Sequence, residues 1–202
     1  METKTPEQVN RQFDYKSDGY NNLIENIKSQ ANKQEYCLLL LVGSSKGKKK
    51  NAFKQIKEQT GRDIINVDAN TLITTNEKAT RGQIDDLFKA FDAENSMIYM
   101  SNGANLCGAF TGFSLSKVKY ATPQEKYFLK KIEANNAFVV IDFETIDGVD
   151  TTLNRASHAI ITFPPPVSGL KGFFARLKQI RINGFDLNSD RPVPPQNLNA
   201  NF

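Results

Sequence analysis

The chain has 202 residues, of which 39% are hydrophobic and 24% are charged, and its formal net charge at pH 7 is +4. These values predict one globular domain, with or without tails, that is long enough to form a core. The longest apolar run, residues 36–42, is much shorter than the roughly 20 residues that span a bilayer, and no basic-then-apolar leader opens the chain. Neither membrane insertion nor export is therefore expected. Cys37 and Cys107 lie in apolar or glycine-rich contexts, which favours buried thiols in a reducing, cytoplasmic compartment.

Residues 1–18 are polar and are predicted to form a flexible N-terminal arm. A helix should follow, because apolar residues recur there at helical spacing: Tyr20, Leu23, Ile24 and Ile27. Five short apolar segments are typical of buried strands, namely residues 36–42, 63–67, 97–100, 137–141 and 159–163. Helical patterns lie between them at residues 51–60, 82–93 and 123–134, and the last begins with a capping box formed by Thr122 and Glu125.

This alternation predicts an α/β fold: a doubly wound, mainly parallel five-stranded sheet with helices on both faces. A last amphipathic helix is predicted at residues 170–180. The tail, residues 188–202, is rich in Pro and Asn and is predicted to be extended. The predicted boundaries are thus an arm at 1–18, one α/β domain at 19–187 and a C-terminal tail at 188–202.

The segment from Gly43 to Lys50 reads Gly-Ser-Ser-Lys-Gly-Lys-Lys-Lys and directly follows the first apolar run. A phosphate-binding P-loop is G-x-x-x-x-G-K-[ST] between a buried strand and a helix, and its hydroxyl residue holds magnesium. Here Lys49 stands where the lysine is needed, but Lys48 replaces the second glycine and Lys50 the hydroxyl residue. The segment therefore predicts a vestigial nucleotide site, whose candidate binding residues are Gly43, Ser44, Ser45, Gly47, Lys49 and Lys50.

Segment order and spacing over residues 36–180 resemble the large subdomain of the AAA-type P-loop ATPases, nearest the branch of membrane proteases and protein-unfolding segregases. That family ends its third strand in two acids, where this chain has Ser101 and Asn102. Its fourth strand ends in a polar sensor of the γ-phosphate, where this chain has Glu144. Arg155 resembles one of the family's trans-acting arginines, while His158 occupies the position of the second.

The resemblance implies a degenerate pseudo-ATPase with a P-loop NTPase-like fold, which also lacks the family's helical lid. Several independent losses at positions that make the chemistry argue against phosphoryl transfer, because that reaction depends on positioning and charge neutralisation. No catalytic residue and no metal ligand is therefore expected. No cofactor is expected either, although ATP or ADP could bind as a passive ligand.

The lysines of this segment have three open interpretations: a solvated basic loop, a docking patch for an acidic protein surface, or a contact to nucleic-acid phosphates. Lys46, Lys48 and Arg155 are the candidate partner-binding residues. Uneven charge along the chain, with eight lysines and one acid between Lys28 and Lys57, would let copies or partners dock.

The function that these features favour is a non-catalytic AAA-like protein, acting as a structural or adaptor subunit in a homo- or hetero-oligomeric assembly. Two alternatives stay open: a divergent ATP-binding or ATP-hydrolysing NTPase, and a nucleic-acid-binding module akin to the inert subunits of clamp loaders.

Overall fold

The structure is a computed structural model, and it describes residues 12–32, 36–107 and 121–164. These residues all belong to one compact unit, residues 1–164. The predicted helix at 170–180, the predicted tail at 188–202 and residues 1–11 lie outside the described residues, so the predicted domain boundaries stay predictions.

The described part of the chain forms one sheet of six strands in the order β1-β6-β2-β5-β4-β3, and every pairing in it is parallel. The strands are β1 Gln12–Asp14, β2 Cys37–Val42, β3 Asp63–Asp68, β4 Ser96–Ser101, β5 Phe138–Phe143 and β6 Ala159–Thr162. The two central strands, β2 and β5, are almost wholly buried apolar residues, as a sheet that is covered on both faces requires.

Six α-helices connect these strands: α1 Asp18–Asn32, α2 Lys46–Thr60, α3 Ala69–Leu72, α4 Glu77–Lys89, α5 Pro123–Ala134 and α6 Thr151–Ala156. Two short 3-10 helices, Gly103–Asn105 and Ile146–Gly148, follow β4 and β5. No helix in the described segments is both long enough and apolar enough to cross a membrane.

Alternate residues of β2 enter two separate cores, one on each face of the sheet. Leu38 and Leu40 pack in the core that includes residues of α3 to α6, whereas Leu39 and Leu41 pack with residues of α1 and α2. Helices thus cover both faces, and the predicted doubly wound α/β fold with a parallel sheet is confirmed at this level.

The prediction of five strands from the apolar segments is corrected, because a sixth strand, β1, pairs with β6 at the edge of the sheet. The sequence Gln-Phe-Asp of β1 contains a single apolar residue, Phe13, and so it resembles a polar arm. All five predicted strands are present, with small shifts at their ends.

The start of α2 also differs from the prediction. The helix begins at Lys46 rather than at residue 51, so the lysines predicted to lie in a loop form its first turn. Only Gly43, Ser44 and Ser45 connect β2 to the helix. This short connection determines the geometry of the candidate site.

Candidate functional site

A cavity of about 660 Å³ lies at the carboxyl ends of β2, β4 and β5. Ligand sites in α/β proteins occur at this edge because the loops that follow parallel strands converge there. Of the residues singled out in the sequence, seven line the cavity: Ser44, Lys46, Lys49, Lys50, Ser101, Asn102 and Glu144. Gly43, Ser45, Gly47, Lys48 and Arg155 do not line it.

Gly43 is required by packing rather than by a ligand. Its φ is 145°, and a Cβ there would lie 2.3 Å from the carbonyl oxygen of Phe163. Its amide donates a hydrogen bond of 3.0 Å to the carbonyl of Phe143. Gly47 differs, because it is helical and a Cβ there would meet no atom within 4 Å.

The backbone amides of the following residues also bond within the protein. Lys46 donates to the carbonyl of Ser44 and Lys49 to that of Ser45, each at 3.0 Å. A P-loop uses such amides to surround phosphate groups. Here a three-residue turn and an early helix start direct them to neighbouring carbonyls instead.

The side chain of Lys49 lines the cavity but is only 5% exposed. Its ammonium group donates to the Asp142 carboxylate in a short contact, and to the carbonyl oxygen of Phe143 at 3.3 Å. The hydroxyl of Tyr99 donates to the other oxygen of Asp142 at 3.0 Å. Burial and the neighbouring Asp142 charge raise the pKa of Tyr99 well above its usual range, so this hydroxyl remains a donor. The lysine charge is thus neutralised by a carboxylate of the protein itself.

The residues that follow β4 are used in local structure. Asn102 has a left-handed backbone with φ 57°, and its side-chain amide donates to the Asp68 carboxylate at 2.8 Å. That hydrogen bond, with one from the amide of Asn70, lowers the pKa of Asp68. Ser101 donates to the carbonyl of Val67 at 3.4 Å. These contacts join the ends of β3 and β4, and Glu144 is exposed beyond β5.

Four lysines form one exposed line along α2, which we call the α2 lysine stripe: Lys46, Lys50, Lys54 and Lys57. Steps of four, four and three residues place them on the same face of a helix. Lys54 lies 3.6 Å from Glu58, and the other three are in no ion pair among the described residues. The prediction of a loop at residues 43–50 concealed the stripe, since the periodicity of a helix was applied only from residue 51.

Lys48 lies apart from the stripe and is half-buried. Arg155 is exposed in the last turn of α6. The ring of His158 accepts a hydrogen bond of 3.2 Å from the amide of Leu38, and its ring centroid lies 4.8 Å from that of Tyr36. The three residues are therefore not gathered in one site.

A second polar cluster, which we call the buried carboxyl cluster, consists of Cys107, Glu125 and Asp150. Burial and the nearby Asp150 raise the pKa of Glu125 to about 9. Cys107 and Glu125 have separate signals in the sequence, a glycine-rich context and a capping box, but neither signal indicates that these residues and Asp150 lie together.

A scan against known protein families finds no match, and no curated protein matches the chain. One similar solved structure is the HORMA:CdnC:Trip13 complex of E. coli MS115-1, with a TM-score of 0.53 and 14% sequence identity. The likeness covers 86% of this chain and 69% of that chain. At this identity it shows a shared fold and carries no activity from one protein to the other.

We therefore correct the identification of the chain as a degenerate AAA-type ATPase with a P-loop NTPase fold. The sheet has six strands instead of five, and the similar structure is that of a HORMA complex. Alternating strands and helices occur in many α/β proteins, so the segment order behind the resemblance does not distinguish one family from another.

Proposed function

We propose that the chain is a non-catalytic protein-interaction domain that acts as an adaptor or structural subunit of a larger assembly. The observation that carries this proposal is the pairing of Lys49 with Asp142 in the wall of the cavity. A lysine that neutralises a phosphate must present its ammonium group to the ligand, and this one is buried against a carboxylate.

The remaining polar groups of the cavity support the same function. Of the lining residues, Lys46 and Lys49 donate their backbone amides to carbonyls of the protein, so these two amides are not directed at a phosphate. The carboxylate of Glu144 at the rim would repel one. We therefore propose that the domain needs no nucleotide for its function.

The α2 lysine stripe is the surface that we propose for the partner. Its four ammonium groups are exposed along a helix of 15 residues, and a single carboxylate, that of Glu58, is in an ion pair with them in the described segments. A like-charged line of this kind attracts a protein surface rich in Asp and Glu and increases the rate of encounter. The similar structure is itself a complex of several proteins, which agrees with an interaction role.

The test compares three forms of the full chain, each isolated under mild conditions from the cells that encode it. One is the wild type, and one carries Lys46→Glu, Lys50→Glu and Lys57→Glu on the stripe. The matched control carries three reversals at exposed lysines elsewhere: Lys78→Glu, Lys126→Glu and Lys130→Glu. Light scattering after size exclusion gives the mass of each form, and ATP hydrolysis is measured on the same samples.

We expect the wild type and the control to be part of a large complex, and the stripe variant to be recovered as the 22.6 kDa chain alone. None of the three should hydrolyse ATP. Equal masses for all three forms, or ATP turnover that Lys49→Ala abolishes, would contradict the proposal. A complex that nuclease treatment disperses would instead identify nucleic acid as the partner, because phosphates also bind a lysine line.

A further inference from the structure

The buried carboxyl cluster lies apart from the cavity and from the α2 lysine stripe, and neither uses it. Cys107 follows the short helix after β4, Glu125 lies in the first turn of α5, and Asp150 precedes α6. The Sγ atom of Cys107 and one carboxylate oxygen from each acid lie within 4.8 Å of one another. The three residues are 5%, 0% and 1% exposed, respectively.

Apart from the contact between the two carboxyl groups themselves, three oxygens of this cluster have no hydrogen-bond partner among the described residues: both oxygens of Glu125 and Oδ2 of Asp150. In a capping box the glutamate side chain bonds back to the residue that caps the helix. Here the Thr122 hydroxyl accepts from the Glu125 amide at 3.0 Å, but the carboxylate does not return the bond. It is directed into the cluster instead.

Asp150 is divided between two roles. Its Oδ1 accepts a hydrogen bond of 2.8 Å from the amide of Leu153 and so caps α6, which leaves Oδ2 for the cluster. No ion pair in the described parts of the chain includes Glu125 or Asp150. Two buried carboxyl groups this close cannot both be ionised without compensation: either they share a proton, or a bound cation neutralises both.

We propose that Cys107, Glu125 and Asp150 form a binding site for a divalent transition-metal ion of the zinc class. The set contains one thiolate and two carboxylates. Mg²⁺ and Ca²⁺ prefer oxygen ligands, so a thiolate ligand disfavours them as occupants of the site. Zinc accepts both sulfur and oxygen in tetrahedral geometry, and three protein ligands leave its fourth position for water or another group.

The dimensions are compatible with this ion. Tetrahedral zinc, with bonds of about 2.1 Å to oxygen and about 2.3 Å to sulfur, separates its ligand atoms by roughly 3.5 Å. The present upper limit of 4.8 Å thus requires the side chains to close by about 1 Å. Such a site would link the start of α5, the start of α6 and the segment that follows β4.

The test measures metal uptake by the full chain after removal of bound ions with a chelator. Zn²⁺ binding is followed by titration calorimetry and by elemental analysis after dialysis, and Co²⁺ is used as a probe because its spectrum reports thiolate ligation directly. The variants are Cys107→Ala, Glu125→Gln and Asp150→Asn. Asn at position 150 still caps the helix, and Gln at position 125 keeps the side-chain volume, so folding is checked by circular dichroism for each. Cys37→Ala, at the other buried thiol, is the matched control.

We expect one metal ion per chain and a thiolate-to-cobalt charge-transfer band. Cys107→Ala should remove the band, each carboxylate variant should weaken binding about a hundredfold or more, and Cys37→Ala should change neither. The proposal is overturned if the wild type takes up no metal in saturable fashion, which is the result for two carboxyls that only share a proton. It is also overturned if binding and the cobalt band survive Cys107→Ala. One folded carboxylate variant is enough for the affinity test, so the test still decides the proposal if the other variant does not fold.

Discussion

The ammonium group of Lys49, on α2, donates to the carboxylate of Asp142 at the end of β5, and both residues line the cavity at the edge of the sheet. The pair joins the first turn of a helix to the neighbouring strand. Lys49, the residue that most resembles a phosphate-binding lysine, is thus paired with a carboxylate of the protein.

Lys49→Met should therefore lower the free energy of unfolding by about 2–3 kcal/mol, because it leaves the Asp142 carboxylate without its cation. Asp142→Asn should be destabilising too, and the double variant should lose less than the sum of the two. Urea unfolding followed by circular dichroism measures these values. Lys50→Met, at the exposed next residue, should change stability by no more than about 0.5 kcal/mol. A Lys49→Met variant as stable as Lys50→Met would show that the pair contributes nothing.

The two glycines of the candidate site should respond in opposite ways to alanine. Gly43→Ala should cost about 2–3 kcal/mol, since the backbone is left-handed there and the new Cβ would overlap the Phe163 carbonyl. Gly47→Ala should stabilise α2, by at most about 1 kcal/mol, because the position is helical and open. Thermal unfolding of the two variants decides this. Equal losses at both positions would favour a ligand-binding loop over the packing argument.

The stabilising effect of the contacts between α4 and α5 at Asp85 should depend on pH. Asp85 accepts hydrogen bonds from Lys131 at 2.6 Å and from Tyr127 at 2.7 Å, and these contacts, that of Lys131 first, lower the pKa of Asp85. A carboxyl with a lowered pKa stabilises the fold above its unfolded pKa and loses that effect as the pH falls through the folded value. Asp85→Asn should thus destabilise the protein at pH 7, and the difference should shrink as the pH falls below the usual pKa of an aspartate, about 4. Melting curves of both proteins across this range test the sign, and a gap that widens in acid would refute it.

The edge strand β1 should contribute to stability through Phe13, which packs beside the core under α1. A Cβ added at Gly19 would lie 2.8 Å from the Cδ1 atom of the Phe13 ring, so α1 approaches β1 closely at this glycine. Phe13→Ala should cost about 1–2 kcal/mol, less than a fully buried phenylalanine because the ring is half-buried. Asn22→Ala, on the exposed face of α1, serves as the control and should be neutral. Identical denaturant midpoints would mean that β1 is dispensable.

Much of the fold could be predicted because its signals are local. Continuous apolar runs such as residues 37–42 identify buried strands, and Thr122 with Pro123 indicates where α5 begins. β1 has no such signal, since Phe13 alone is apolar and its partner β6 is about 150 residues away. A strand that owes its existence to pairing at a distance cannot be recognised from its own composition.

The candidate site was harder to predict, for two different reasons. Between Gly43 and Lys50, the similarity to a P-loop predicts a loop, although Lys46, Lys50 and Lys54 have the spacing of a helix. The buried carboxyl cluster could not be predicted for another reason: no pattern in a single sequence connects three residues on three separate elements. Glu125 gives one hint: an acid placed to complete a capping box can turn inward instead.

The position of β6 between β1 and β2 also bears on how the protein is made. During synthesis on the ribosome, β1 emerges first but can find its neighbour only when Ala159–Thr162 has been translated. Until then the nascent chain presents an unpaired edge of β2 to its surroundings. We infer that this sheet cannot be completed before residue 162 has been translated, and that a chain interrupted before residue 159 would be a target for chaperones.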